Sequence, residues 1–223
     1  MYYSFKIEGD ELDKRMGGGL YVGQLVTISG DNSSGKTLLA LRLAYGFLKN
    51  GLNVAYISSQ LPVREFVSLS DALGYSIFNQ MISGTFTFIT PVFLLRKSRK
   101  ASIDELLENE ILIKKNIIVI DSLLPSMYSS FEISSFLEKL RKFSENRIVI
   151  MTMNPANFDD HTQIKINQLS TTLITLHSMD LGSTKKHFID LIKYPMAVKS
   201  IQQSIPFRVE PGRGLIVEIS SVS

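Results

Sequence analysis

The chain contains no cysteine among its 223 residues. That excludes a disulfide scaffold and thiolate metal sites, and it suits a reducing compartment such as the cytoplasm. Histidine is scarce, and His161, His177 and His187 show no metal-ligand spacing. No apolar run approaches the ~20 residues a membrane helix needs, so no membrane insertion is expected. The first fifteen residues carry Lys6, Glu8, Asp10, Glu11, Asp13, Lys14 and Arg15 in place of an apolar signal region. A large charge of one sign is also missing. The formal net charge is +3, too weak by itself to argue for nucleic acid. Low-complexity linkers and internal repeats are absent, which leads us to expect one domain over 1–223.

What is present is ordinary for a globular protein: 44% hydrophobic and 20% charged residues, in a chain long enough to bury a sizeable core. Short apolar runs alternate with amphipathic stretches. "QLVTISG" (24–30), "NVAYIS" (53–58), "TFTFIT" (85–90), "NIIVID" (116–121) and "RIVIMTM" (147–153) read as strands. Helices are expected from Lys36 to about Lys49, ended by Asn50-Gly51, and from Pro62 to Gly74, with Val63, Phe66, Val67 and Ser70 on one face. Capping boxes at Ser102/Glu105 and Ser129/Glu132 start two more, the first running to about Ile113 and the second burying Ile133, Phe136, Leu137 and Leu140. The last third, "TTLITLH", "KHFIDLIKY" and "FRVEPGRGLIVEIS", reads as β with a Pro-Gly-Arg-Gly hairpin turn. Such alternation predicts an α/β, three-layer fold: a mostly parallel central sheet, helices on both faces and an antiparallel C-terminal extension.

The strongest local signal is "GDNSSGKT" (30–37), which fits G-x-x-x-x-G-K-[ST] without a mismatch, between a predicted strand and a predicted helix. Four fixed positions match by chance in roughly one chain of this length in a hundred. Gly30 and Gly35 let the backbone curl so that successive N–H groups face one anion, and the helix N-terminus adds dipole and unpaired donors. Gly30, Asp31, Asn32, Ser33, Ser34, Gly35, Lys36, Thr37 and Leu38 are therefore the expected nucleotide-binding residues. Lys36 would reach the β- and γ-phosphates, and the Thr37 hydroxyl would ligate magnesium, which prefers hard oxygen ligands. Asp121, closing "IIVID", stands where ligands bind in α/β sheets and would hold the same Mg2+ through a water.

These residues, with Leu12-Asp13, Gly17-Gly18-Gly19 and Gly23 ahead of the phosphate loop and "PFRVEPGRGLIVE" (206–218) at the end, make the chain resemble the RecA/KaiC-type ATPases over nearly its whole length. The resemblance implies a RecA-like core, ATP with magnesium, and a homo-oligomeric ring with nucleotide near subunit interfaces. Within the family, one compact domain with "YISSQL" after the second strand is similar to the ATP-binding component of the archaeal motility motor, the archaellum. This implies a regulatory or assembly role in the cytoplasm, at the inner face of the cell membrane through partners: the motor ATPase FlaI, the ring protein FlaX and the membrane platform FlaJ.

One departure from the family matters. Its active enzymes carry a glutamate at the end of the second strand, where this chain has Ser59 and Gln60. A carboxylate accepts the proton of an attacking water; an amide only orients it. General-base help is worth about 10²–10⁴-fold, so binding with weak or absent hydrolysis is expected, with Gln60 as a candidate for positioning water. Thr152 and Asn154 end the strand where the family carries a γ-phosphate sensor, though capping residues would look the same. Lys193 lies where relatives send a basic residue to a neighbour's nucleotide, but Pro195 breaks their Lys-x-Arg pattern and a solvated strand lysine is the plainer reading. "RKSRK" (96–100) reads as a solvated loop. The polar loop "NPANFDDHTQ" (154–163) carries Asp159 and Asp160, with only Lys165 nearby, which argues against nucleic acid. The alternative is an active RecA/KaiC-type ATPase working on DNA or a protein partner.

Overall fold

A computed structural model describes residues 1–58, 60–90, 107–122, 130–181 and 184–218. In chain order the elements are β1 (Tyr2–Ser4), α1 (Leu12–Arg15), β2 (Gly19–Tyr21), β3 (Leu25–Gly30), α2 (Lys36–Lys49), β4 (Val54–Ser58), α3 (Val63–Ala72), α4 (Phe78–Ile82) and β5 (Phe86–Ile89). They continue with α5 (Glu110–Ile113), β6 (Ile117–Asp121), α6 (Ser130–Phe143), β7 (Ile148–Met153), α7 (Asp160–Leu169), β8 (Thr172–Leu181), β9 (Thr184–Lys193), β10 (Ser204–Glu210) and β11 (Gly214–Val217).

The apolar runs β3, β4, β6 and β7 are buried at every residue, as strands covered on both faces must be. The main sheet has the order β11-β10-β9-β8-β3-β7-β6-β4-β5. From β8 to β5 all neighbours are parallel, and β9, β10 and β11 add antiparallel strands beyond β8. On one face, Leu39, Leu43 and Phe47 of α2 and Phe66 of α3 pack with Val26, Ile28, Val54, Tyr56 and Val119. On the other, Ile133, Phe136, Leu137 and Leu140 of α6 and Ile166 of α7 pack with Leu25, Ala55, Ile57, Ile118 and Val149. Alternate strand residues thus feed two cores, giving the three layers. The N-terminal segment is fastened to α2 by Arg42, wholly buried, whose Nε donates to Asp10 Oδ2 at 2.7 Å and whose Nη1 donates to the Phe5 carbonyl at 2.8 Å.

Local expectations held unevenly. The strands, helix α2, helix α3 and the β10–β11 hairpin lie where the pattern puts them. Val63 does not join its predicted face and is 47% exposed, because α3 starts there, at its outer end. The helix expected to run through to Ile113 is interrupted: Asn109 is extended and its side chain accepts from the Ile111 N–H, starting the short α5 afresh. The "NPANFDDHTQ" stretch is not all loop. The Asp159 carboxylate accepts from the Thr162 N–H at 2.7 Å and caps α7. The Ser102/Glu105 box, the Ser129/Glu132 box and the "RKSRK" cluster lie outside the described residues.

Candidate functional site

The register aligns the C-terminal ends of the parallel strands along one edge: Ser58 pairs with Asp121, and Gly30 with Leu176. A ligand cleft is expected at such an edge. Here the chain leaves β3 at Gly30, where a Cβ would collide with the Leu176 carbonyl and the Ser34 hydroxyl, so no other residue fits. It turns through Ser33 in a left-handed conformation (φ 61°) and Gly35 (φ 98°) and enters α2. The first N–H groups of α2 have no acceptor within the helix, so the loop and helix start form an anion cradle. The Lys36 ammonium donates to the carbonyls of Gly30 (2.8 Å) and Asp31 (2.6 Å), spanning the curl, and burial lowers its pKa.

Asn32, Ser33, Gly35, Lys36, Thr37, Leu38 and Gln60 all line one cleft of about 730 Å³, joined by Leu69 of α3, Leu73 just past its end, Ser122, Met153, Asn154, Asn157 and Val209. None of these described lining residues is acidic. Asp31 is exposed and contributes its backbone carbonyl, while Ser34 is buried under the loop. Ser59 lies outside the described residues. Gln60 sits at the mouth on the exposed connection between β4 and α3.

Behind the loop stands Asp121, 2% exposed. Its Oδ1 accepts from Thr37 (3.2 Å) and Thr152 (2.7 Å), and its Oδ2 from the Tyr56 hydroxyl at 3.0 Å. Burial pushes its carboxyl above the usual range, while the hydroxyls of Thr152, Thr37 and Tyr56 and the charge of Lys36 pull it back. The donor set fits a hard divalent cation. A hydroxyl and a carboxylate share one corner, and a buried carboxylate gains most from a nearby positive charge. Thr37 and Asp121 are the residues that could hold Mg2+.

Two further candidates part company. Asn154 reaches the cleft, donating to Asn32 Oδ1 at 3.0 Å while accepting from the Ala156 N–H. Thr152 is buried; it donates to Asp121 and accepts from the Ser122 N–H at 2.7 Å, so it supports the acid from behind. Lys193 pairs with Leu173 near the start of β8, away from Gly30, and its ammonium donates to the Ser170 carbonyl at 2.5 Å. Sequence reading missed Tyr56. The clue was available: a tyrosine inside a fully buried strand needs a partner for its hydroxyl.

A family model described as "ATPase: KaiC" matches residues 6–221. The chain belongs to the KaiC family of ATPases. Its relatives include archaeal flagellar ATP-binding protein FlaH of Methanocaldococcus jannaschii, 35% identical over 221 residues (96% of this chain, 94% of the relative), and FlaH of Methanococcus voltae, 31% identical (100% and 99%). The crystal structure of the flagellar accessory protein FlaH from M. jannaschii superposes with a TM-score of 0.89 at 33% identity, covering 99% of this chain and all of that one. A KaiC-like protein of Pyrococcus horikoshii shares the fold, with a TM-score of 0.79 at 18% identity over 98% of this chain and all of that one. The mixed sheet described above is therefore the KaiC-family fold, and the chain is a FlaH homologue within it.

Proposed function

We propose that this protein is the ATP-binding regulatory or assembly component of an archaellum motor, a nucleotide-gated switch with weak or no hydrolysis. The names of its relatives supply ATP and the motility machine. The observation that carries the reading is the convergence of Lys36 and Thr37 on a cleft whose mouth presents the amide of Gln60, with Asp121 held directly behind Thr37. Thr37 and Asp121 would hold Mg2+ with the nucleotide. When bound, the metal neutralises phosphate charge and orients the terminal phosphate. The chain's own residues bind and orient: the glycine-lined loop cradles the phosphates, and Lys36 leaves its carbonyl partners for them.

Switching requires that the nucleotide favour one conformation or interface, since equal affinity for two states shifts neither. We infer a homo-oligomeric ring, acting in the cytoplasm beneath the membrane on the motor ATPase FlaI with the ring protein FlaX and the platform FlaJ. The test is twofold. Single-turnover and steady-state assays at saturating ATP should give rates well below ~1 s⁻¹, the low end for working enzymes. Nucleotide that co-purifies should survive hours of incubation as the triphosphate. Turnover at or above that rate favours the second reading, an active ATPase in which Gln60 orients the attacking water.

A further inference from the structure

Among the described residues three hydroxyls, those of Thr37, Thr152 and Tyr56, meet the Asp121 carboxylate, and they do not do the same job. Thr37 lies on the cleft side of Asp121, and Thr152 is tied to the Ser122 N–H. Tyr56 comes from β4 beneath the site, is 0% exposed, and reaches the other oxygen, Oδ2. Its ring is wedged in an aromatic stack, with centroids 4.6 Å from Phe66 and 6.2 Å from both Phe86 and Phe88. The hydroxyl therefore has little freedom. A carboxylate's terminal torsion is soft: Thr37 and Thr152 hold Oδ1, and the Tyr56 bond to Oδ2 is a hold on the second oxygen that fixes the plane of the group.

We propose that Tyr56 is the positioning residue of the magnesium corner: by holding Oδ2 it keeps Asp121 Oδ1 beside Thr37, the arrangement in which the pair meets a hydrated cation. This rests on the nucleotide-binding reading above. Partners that orient a metal-holding group typically govern about 10–100-fold in metal affinity. A core tyrosine that merely parks its hydroxyl on the nearest acceptor governs folding stability alone.

The two roles separate in an equilibrium binding experiment with a fluorescent ATP analogue, titrated in EDTA and in Mg2+, on wild type and Tyr56→Phe. The variant keeps the ring and its packing. The expected result is metal-free affinity within about twofold of wild type, with at least about tenfold of the Mg2+-dependent gain lost and a higher Mg2+ midpoint. An unchanged Mg2+ gain overturns the proposal. So does an equal loss with and without Mg2+, which is the mark of a structural role. Should Tyr56→Phe fail to fold, Phe66→Leu loosens the ring without removing the hydroxyl and should shift the Mg2+ midpoint the same way; an unmoved midpoint there also overturns the proposal. Failure of wild type to bind in either buffer would strike the nucleotide-binding reading itself, a distinct outcome.

Discussion

The two walls of the cleft are built differently. The inner wall, at the ends of β4, β6 and β7, is largely buried and cross-bonded: Asp121 is gripped by Thr37, Thr152 and Tyr56, and Ser122, whose N–H donates to Thr152, sits in a left-handed conformation (φ 66°). Ser33 and Ser122 are the two non-glycine residues with positive φ among the described residues, and both line the cleft. Strain of this kind persists where surrounding structure over-determines it, commonly at functional sites. The outer wall is α3 and the β10–β11 hairpin, with Gln60 at its exposed end. It offers Leu69, Leu73, Val209 and an amide. The contrast teaches that the wall proposed to take phosphate and metal is preorganised, whereas nothing on the outer wall's described lining is equipped to take a proton.

The largest expected effect comes from the phosphate lysine. Lys36→Ala should weaken nucleotide binding by more than about a hundredfold, since a charge-assisted contact and the loop's internal brace go together. Calorimetry or analogue fluorescence measures it, and any ATP-dependent complex should vanish with it. Affinity within tenfold of wild type would break the view of the loop as the binding element.

The outer wall is probed next. Gln60→Glu puts a proton acceptor in the region, Ser59 and Gln60, where the resemblance to active RecA/KaiC-type enzymes implies a glutamate, and should raise hydrolysis at saturating ATP by about tenfold or more, with general-base help of about 10²–10⁴ as the ceiling. A rate unchanged in this variant would mean that the missing carboxylate is not what keeps turnover slow.

Asp121→Asn sharpens the inner wall. The Mg2+-dependent part of nucleotide affinity should fall about 10–100-fold. Metal-free thermal stability at pH 7 should hold or rise. The sign follows from burial. Asp121's folded pKa lies above its unfolded value, so its contribution is fully present below the unfolded pKa and is lost as pH rises through the folded one. As pH rises above the unfolded pKa, the buried acid thus carries a cost that the amide, which does not ionise, avoids. A drop in midpoint of more than about 4 °C, or over 1 kcal/mol for a chain this size, would contradict that.

Legibility in the sequence followed contiguity. The phosphate loop is one unbroken octapeptide whose spacing is its geometry, so Lys36, Thr37 and the curl at Gly30 were readable. Asp121 was readable because a strand end fixes where its side chain stands. Tyr56 was not, because its partner lies 65 residues away and alternation along β4 assigns it simply to the core. Thr152 and Asn154 looked equivalent; Thr152 lies within β7, buried beside Asp121, whereas Asn154 follows the strand's last residue and stands at the cleft. Helix α7 escaped because it buries just Thr162 and Ile166, too sparse a stripe to show a period. β1 and β2, three residues each, are held by pairing with one another rather than by any local pattern.

The smallest effect concerns what holds the outer wall in place. Where α3 ends, Gly74 (φ 75°) lies against the Gly212 carbonyl, and the Gly212 N–H donates to the Ala72 carbonyl at 2.8 Å. The Tyr75 hydroxyl accepts from the buried Leu215 N–H, also at 2.8 Å, joining α3 to the hairpin. Tyr75→Phe leaves that N–H without a partner, which costs about 1–3 kcal/mol, or several degrees in midpoint. Burial, as the main cause, pushes the Tyr75 pKa up to about 12 from its ordinary value of 10.0. Its contribution is therefore complete below the unfolded pKa of 10.0 and drains away as pH rises toward about 12. The stability difference between wild type and Tyr75→Phe should shrink across that window, measured by denaturant melts at stepped pH. Nucleotide affinity in Mg2+ should stay within about twofold, because this tie supports the outer wall and touches none of the groups that grip phosphate or metal. A larger loss would mean that the two walls are coupled and that the contrast between them is one of chemistry alone.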